Sequence, residues 1–147
     1  MISSIKFEPW HVDLIKDIKP EFTNQKFHMD CLRELKVDSN NPALTIIHGK
    51  DEILGFVSGS FIYPQVFTIF SLLSESVKKY PVAFHKEVER ILSVYIETCD
   101  IKRVEMYVKA SFKQAVRWAE RLGFQREGLL KNYGIDCCDY YLYARYS

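Results

Sequence analysis

The chain has 147 residues, 48% apolar and 27% charged, which suits a single folded domain spanning 1–147 and excludes a disordered or fibrous chain. Lys and Arg number 20 against 19 Asp and Glu, and the resulting net charge of +1 excludes a broad surface for coating a polyanion such as nucleic acid. No apolar run approaches the roughly 18 residues of a membrane span, and the opening MISSIKFEPWHVD lacks a signal peptide's basic lead and apolar core, so a cytoplasmic protein with no membrane partner is expected.

Ile2 to Phe7 alternates as a strand, and Glu8-Pro9-Trp10 then opens a helix with Trp10, Leu14, Ile15 and Ile18 on one face, ended by Pro20. A second helix is expected after Thr23, where Phe27, Cys31, Leu32 and Leu35 recur at helical spacing before the loop Asp38 to Pro42. Three β-rich runs follow as an antiparallel meander: Ala43 to His48, Ile53 to Tyr63 after the turn Gly49-Lys50-Asp51-Glu52, and Val66 to Leu73 after Pro64. From Pro81 to Cys99 the period changes. Phe84, Val88, Ile91, Leu92, Tyr95 and Cys99 make the stripe of a helix packed on a sheet.

Val104, Met106 and Val108 alternate as the next strand. Ser111 with Gln114 three residues on reads as a capping box, followed by an apolar face of Phe112, Ala115, Val116, Ala119 and Leu122 and by Gly123 as the stop. Two strands around Gly134-Ile135-Asp136 complete the chain. The fold class is α+β, a mixed and mostly antiparallel sheet of about seven strands flanked by about four helices.

Several chemistries lack their residues. Cys31, Cys99, Cys137 and Cys138 show no metal-ligand spacing and are expected as reduced thiols, and His11, His28, His48 and His85 form no HxH or HxxxH, so no metal site is expected. None of the six glycines falls between Gly59 and Gly123, and no GxGxxG, GxxxxGK[ST] or GxSxG occurs, which removes dinucleotide, P-loop and hydrolase-elbow readings.

The element order, the segment Ala115-Val116-Arg117-Trp118-Ala119-Glu120-Arg121-Leu122-Gly123-Phe124, the later Glu127-Gly128 and Asp139-Tyr140-Tyr141, and Ile53-Leu54-Gly55-Phe56 together resemble the GNAT superfamily of acyl-CoA-dependent N-acetyltransferases. The resemblance covers nearly the whole chain. In size and tail the chain is also similar to GNAT-like internal virion proteins of short-tailed phages, which would make it virion-associated.

The family resemblance implies acetyl-CoA as cofactor, bound in a V-shaped opening between the fourth and fifth strands. Main-chain groups of Leu72, Leu73 and Ser74 would pair with the pantetheine arm. The cofactor pyrophosphate would rest on the loop Lys78-Lys79-Tyr80-Pro81-Val82-Ala83, at the opening of the next helix. Lys78 stands where the family has Gln or Arg and Ala83 where it has a small residue. Pro81 replaces the first glycine, which removes one N–H and narrows the approach of a ligand, yet suits a helix start. Lys78 and Lys79 read either as cations at a phosphate site or as a solvated loop, and Ser74, Glu75 and Ser76 are placed to cap that helix instead.

Where many members have a proton-donating tyrosine this chain has Ala119, so water or one of Tyr133, Tyr140, Tyr141 and Tyr143 would take that part, although tyrosines there also suit sheet packing. Glu75, Glu105 and His48 are conceivable as the base, but spacing singles out none, Glu105 also reads as an outward-alternating strand residue and His48 as a strand end, and no base is named. The implied activity is acetyl transfer to a small-molecule or protein amine by direct attack. The alternative is a catalytically inactive GNAT-fold phage structural or interaction protein. A third reading, nucleic-acid binding through Lys102, Arg103, Lys109, Lys113, Arg117 and Arg121, rests on that local basic cluster.

Overall fold

A computed structural model of the chain describes residues 1–16 and 25–146, the side chains of 25–28 excepted. Seven strands, β1 (Ile2–Lys6), β2 (Ala43–His48), β3 (Glu52–Tyr63), β4 (Val66–Leu73), β5 (Arg103–Lys109), β6 (Gln125–Leu130) and β7 (Tyr140–Tyr146), form one sheet in the order β1-β2-β3-β4-β5-β7-β6. The helices are α1 (Gln25–Arg33), α2 (Pro81–Thr98) and α3 (Lys113–Arg121), with 3-10 helices at Pro9–Leu14 and Glu75–Lys79.

β1 with β2, β2 with β3, β5 with β7 and β6 with β7 pair antiparallel. Only two residues, Pro64 and Gln65, join β3 to β4, a connection too short for anything but an antiparallel hairpin. Among the described residues the one parallel pair is β4 with β5, in register from Val66↔Arg103 to Thr68↔Glu105, and α2 lies in its crossover as parallel pairing requires. The fold class and the order of elements along the chain are those expected from the sequence.

By internal contacts the chain divides into two compact units, Met1–Ser60 with Phe70–Val94, and Phe61–Ile69 with Tyr95–Ser147. The first has a core of Phe7, Val12, Ile15, Leu32, Ala43, Ile47, Ile53, Phe56 and Leu72, with Phe7 and Phe56 edge to face at 5.4 Å. In the second, Phe67, Ile101, Val104, Val108, Val116, Ala119, Leu122, Phe124, Tyr143 and Ala144 are buried. Gly123, at φ +86, ends α3 in a Schellman turn: Phe124 N–H reaches Ala119 O at 3.1 Å and Gly123 N–H reaches Glu120 O at 3.1 Å.

Three local expectations are corrected. The helix at Pro9 is a 3-10 turn whose buried residues are His11 and Val12, with Ile15 just beyond, while Trp10 and Leu14 are exposed. Its capping box joins Glu8 to His11, and the tighter three-residue turn buries His11 and Val12 in place of Trp10 and Leu14, while Ile15, expected on the buried face, is buried just past the helix end. Ile18, Pro20, Thr23 and the side chain of Phe27 lie outside the described residues. The Ser111 capping box does not form, because α3 starts at Lys113 with Phe112 as N-cap and no side-chain cap. Cys31 and Cys99 are exposed, although both had been assigned to apolar stripes; Cys99 lies one residue beyond the end of α2.

Candidate functional site

The residues proposed from sequence to hold a cofactor lie within the stretch 72–83 of the first unit, where β4 ends, a 3-10 helix follows and α2 begins. Gly55 on β3 lets the chain pass close to this point: a Cβ there would stand 2.7 Å from Leu72 O and 2.7 Å from Leu73 Cδ2. Leu72 and Leu73 are buried.

Ser74 is fully engaged within the protein. Its N–H donates to Leu54 O at 2.8 Å and its carbonyl accepts from Val77 N–H at 3.2 Å. Its hydroxyl donates to Lys16 O at 2.7 Å and accepts from Ser76 N–H at 3.1 Å. It therefore caps the short Glu75–Lys79 helix and not α2, and its N–H is already taken by Leu54 O.

Tyr80 is the hinge between the two helices. Its N–H donates to Val77 O at 3.0 Å and its carbonyl accepts Phe84 N–H at 2.9 Å, so it stands at the N-cap of α2 with Pro81 as the first helical residue. Helix geometry leaves the N–H groups of Val82 and Ala83 without an intrahelical acceptor, on exposed residues at the positive end of an 18-residue helix, while Pro81 has no donor to add.

The Tyr80 side chain is held from β2 and β3. Its ring stacks on His48 with centroids 4.2 Å apart and 18° between planes, and its hydroxyl donates to Glu52 Oε1 at 3.2 Å. His48 Nδ1 lies 3.1 Å from that same oxygen. Burial and the Glu52 carboxylate push the Tyr80 phenol above its ordinary value, which keeps it a donor. Sequence reasoning missed this clamp: β3 begins one residue earlier than expected, which puts Glu52 on the strand, and Tyr80 lies 28 positions further on.

The two lysines carry carboxylate neighbours. Lys78 Nζ lies 2.5 Å from Glu75 Oε2, and Lys79 Nζ lies 3.8 Å from Glu52 Oε2, with more than half of each lysine side chain exposed. Glu75 Oε1 is buried and has no hydrogen-bond partner among the described residues. The loop thus offers two backbone donors and two exposed cations to an anion, with two acids beside them.

The other candidates lie in the second unit. Ala119 is fully buried and carries nothing able to move a proton. Tyr143 is also fully buried; its hydroxyl donates to Glu120 Oε2 at 2.9 Å and accepts from Arg126 at 3.2 and 3.3 Å. Tyr141 lies 3.7 Å beneath the Arg126 guanidinium, and Tyr133 stacks on Tyr107 and meets Tyr140 edge on. Glu105 is half-buried and accepts from Arg103 Nε at 2.8 Å. Arg103 also forks onto Glu127, and the two carboxylates raise its already high pKa. The basic cluster divides accordingly, with Arg103 on these acids, Lys109 on Asp136 at 2.9 Å and Lys102 on Asp100 at 2.8 Å. Among the described residues no group of three or more His, Cys, Asp or Glu is placed to hold a metal ion.

No family model matches the sequence, and no curated protein is similar to it at a significant level. Solved structures are similar in fold. Ard1 from Thermoplasma volcanium matches over 99% of this chain and 97% of its own, with a TM-score of 0.78 at 19% identity. A chimera of the Vibrio cholerae spermidine N-acetyltransferase SpeG and hSSAT matches over 99% and 95%, with a TM-score of 0.75 at 12% identity. A point mutant of Vibrio cholerae SpeG matches over 99% and 93%, with a TM-score of 0.73 at 12% identity. The chain has the GNAT fold.

Proposed function

We infer that this chain is an acetyl-CoA-dependent N-acetyltransferase that transfers acetyl to a small-molecule or protein amine in the cytoplasm. The observation that carries the reading is the start of α2, where the amides of exposed Val82 and Ala83 lie within five residues of Lys78 and Lys79 at the end of the preceding 3-10 helix of a GNAT fold. This donor chemistry fits the diphosphate of the cofactor, with Lys78, Lys79, Val82 and Ala83 as its holders. Tyr80, clamped by His48 and Glu52, orients the helix end, and Leu72 and Leu73 form the strand end that leads to it. When bound, acetyl-CoA supplies the activated acetyl group, and direct attack by the amine needs no covalent enzyme intermediate.

Pro81 and buried Ala119, which stand where the resemblance implies a glycine and a tyrosine, favour a second reading: a non-catalytic GNAT-fold interaction protein, virion-associated if the similarity to phage internal proteins holds. Calorimetric titration of the full chain with acetyl-CoA separates the two. On the first reading it binds, and Lys78→Ala with Lys79→Ala weakens it by about 1–2 kcal/mol, since exposed ion pairs contribute at most about 1 kcal/mol each. Binding unchanged by the double variant would show that another loop holds the cofactor. No binding by the wild type refutes the enzyme reading and leaves the second.

A further inference from the structure

The outer face of α3 carries a row of cations that the site above does not use. Lys113, Arg117 and Arg121 stand one helical turn apart and are all exposed. Five of the chain's seven arginines are engaged: Arg33 with Asp13 and Asp30, Arg90 with Glu87, Arg103 with Glu105 and Glu127, Arg126 with Tyr141 and Tyr143, and Arg145 with Leu122 O. The side chains of Arg117, Arg121 and Lys113 have no ion pair or hydrogen-bond partner among the described residues. The one carboxylate of α3, Glu120, is turned onto the Tyr143 hydroxyl and lies 3.9 Å from Arg126, so it does not neutralise the row. Like charges one turn apart destabilise an isolated helix, and of the three only Arg121, in the last turn of α3, is favoured by the helix dipole.

We propose that this face of α3 is a docking surface for an acidic segment of a partner protein. Cations four residues apart on a helix stand about 6 Å apart along its axis, and carboxylates on alternate residues of an extended strand stand about 6.6–6.8 Å apart. An extended run with acids at every second position therefore meets all three cations along a row about 12 Å long. The arginine forks favour a carboxylate, which they hold bidentately, and half-buried Trp118 flanks the row as an apolar contact for the intervening side chains. A nucleic acid suits the surface less well. The net charge of +1 gives no long-range field to gather a polyanion, and the other basic residues of the cluster, Lys102, Arg103 and Lys109, are already paired with acids. The proposal is independent of acetyl transfer.

The test is fluorescence anisotropy of the full chain with a fluorescein-labelled dodecapeptide of alternating Glu and Ala, at about 50 mM and about 200 mM salt, beside a Gln-Ala control and labelled single-stranded and duplex oligonucleotides. The Glu peptide is expected to bind saturably and less tightly at high salt, and the Gln peptide not at all. Arg117→Gln with Arg121→Gln is expected to weaken it about tenfold and Lys113→Gln about threefold, with thermal midpoints unchanged or raised. Lys6→Gln with Lys86→Gln, exposed lysines of the other unit, is expected to leave it unchanged. The proposal is overturned by no peptide binding, by equal binding of the Arg117/Arg121 variant, or by an oligonucleotide that binds more tightly through the same residues.

Discussion

Replacing Pro81 with glycine separates a loop that holds phosphate from one that serves only as structure. Pro81 is the first residue of α2, and helix geometry leaves the next two amides, of Val82 and Ala83, free of intrahelical acceptors. Pro81→Gly adds a third donor at the same helix end. A hydrogen bond to a charged group contributes about 1.5–3 kcal/mol, and on this exposed turn the lower end applies, so acetyl-CoA affinity should rise about tenfold. The substitution also frees the unfolded chain and lowers stability by about 1 kcal/mol, which for a chain of this size lowers the melting temperature by roughly 2–4 °C. Pro81→Ala restores the donor without glycine's freedom. Equal tightening in both variants assigns the gain to the N–H, and tightening by glycine alone assigns it to backbone adaptation. Calorimetric titration and differential scanning calorimetry read the two effects separately. A melting temperature that falls with no change in acetyl-CoA affinity in either variant would refute the assignment of this helix end to phosphate.

Two further outcomes follow from the packing of the first unit. His11 is buried, and its Nδ1 accepts Glu8 N–H at 3.1 Å and lies 2.8 Å from Thr45 Oγ1, so burial holds its pKa below the ordinary 6.5 against a smaller opposing pull from Glu8. The unfolded chain then binds the extra proton first. Stability is full above about pH 6.5 and falls as the pH drops below it, by at most about 1.4 kcal/mol per pH unit from this group. Urea titrations from pH 5 to 8 should show a shallower fall for His11→Asn, which keeps an acceptor, and an identical slope would sink the assignment. Gly55→Ala would set a methyl 2.7 Å from Leu72 O, a backbone atom that cannot swing aside, and should cost about 1–3 kcal/mol; an unchanged urea midpoint would show that β3 shifts freely there.

Much of the fold was legible because its boundaries are marked by strong local signals. Pro64 and Ser74 bracket β4, whose expected and observed limits coincide, and Phe84, Val88 and Leu92 are buried as their helical spacing implies. Gly123 stops α3 with a positive φ, as a glycine after an apolar stripe should. The 3-10 helix at Pro9 was misread in part, because its tighter period buries Val12 in place of Trp10 and Leu14, while Ile15 is buried as expected. The candidate site was only half legible. The loop from Lys78 to Ala83 came from the resemblance alone, and composition did not mark it. Glu52 and His48, which hold Tyr80, are brought to it by tertiary folding over about 30 positions and leave no local pattern. That Ser74 is already bonded on every side could be learned only from its partners, Leu54 and Lys16.

The parallel pairing of β4 with β5 bears on how the chain finds its fold. The β2–β3, β3–β4 and β6–β7 pairs join neighbours in sequence, so their loops close at small entropic cost and they form early. Thr68 and Glu105 cannot pair until some three dozen intervening residues, α2 among them, have ordered enough to return the chain. Such long-range registration slows folding, and until it is made β4 and β5 present unpaired backbone edges. Ile69 and Phe70, β-branched and aromatic next to that short ladder, are then exposed to other nascent chains, so conditions that delay α2 should direct this protein toward aggregation before they destabilise its finished fold.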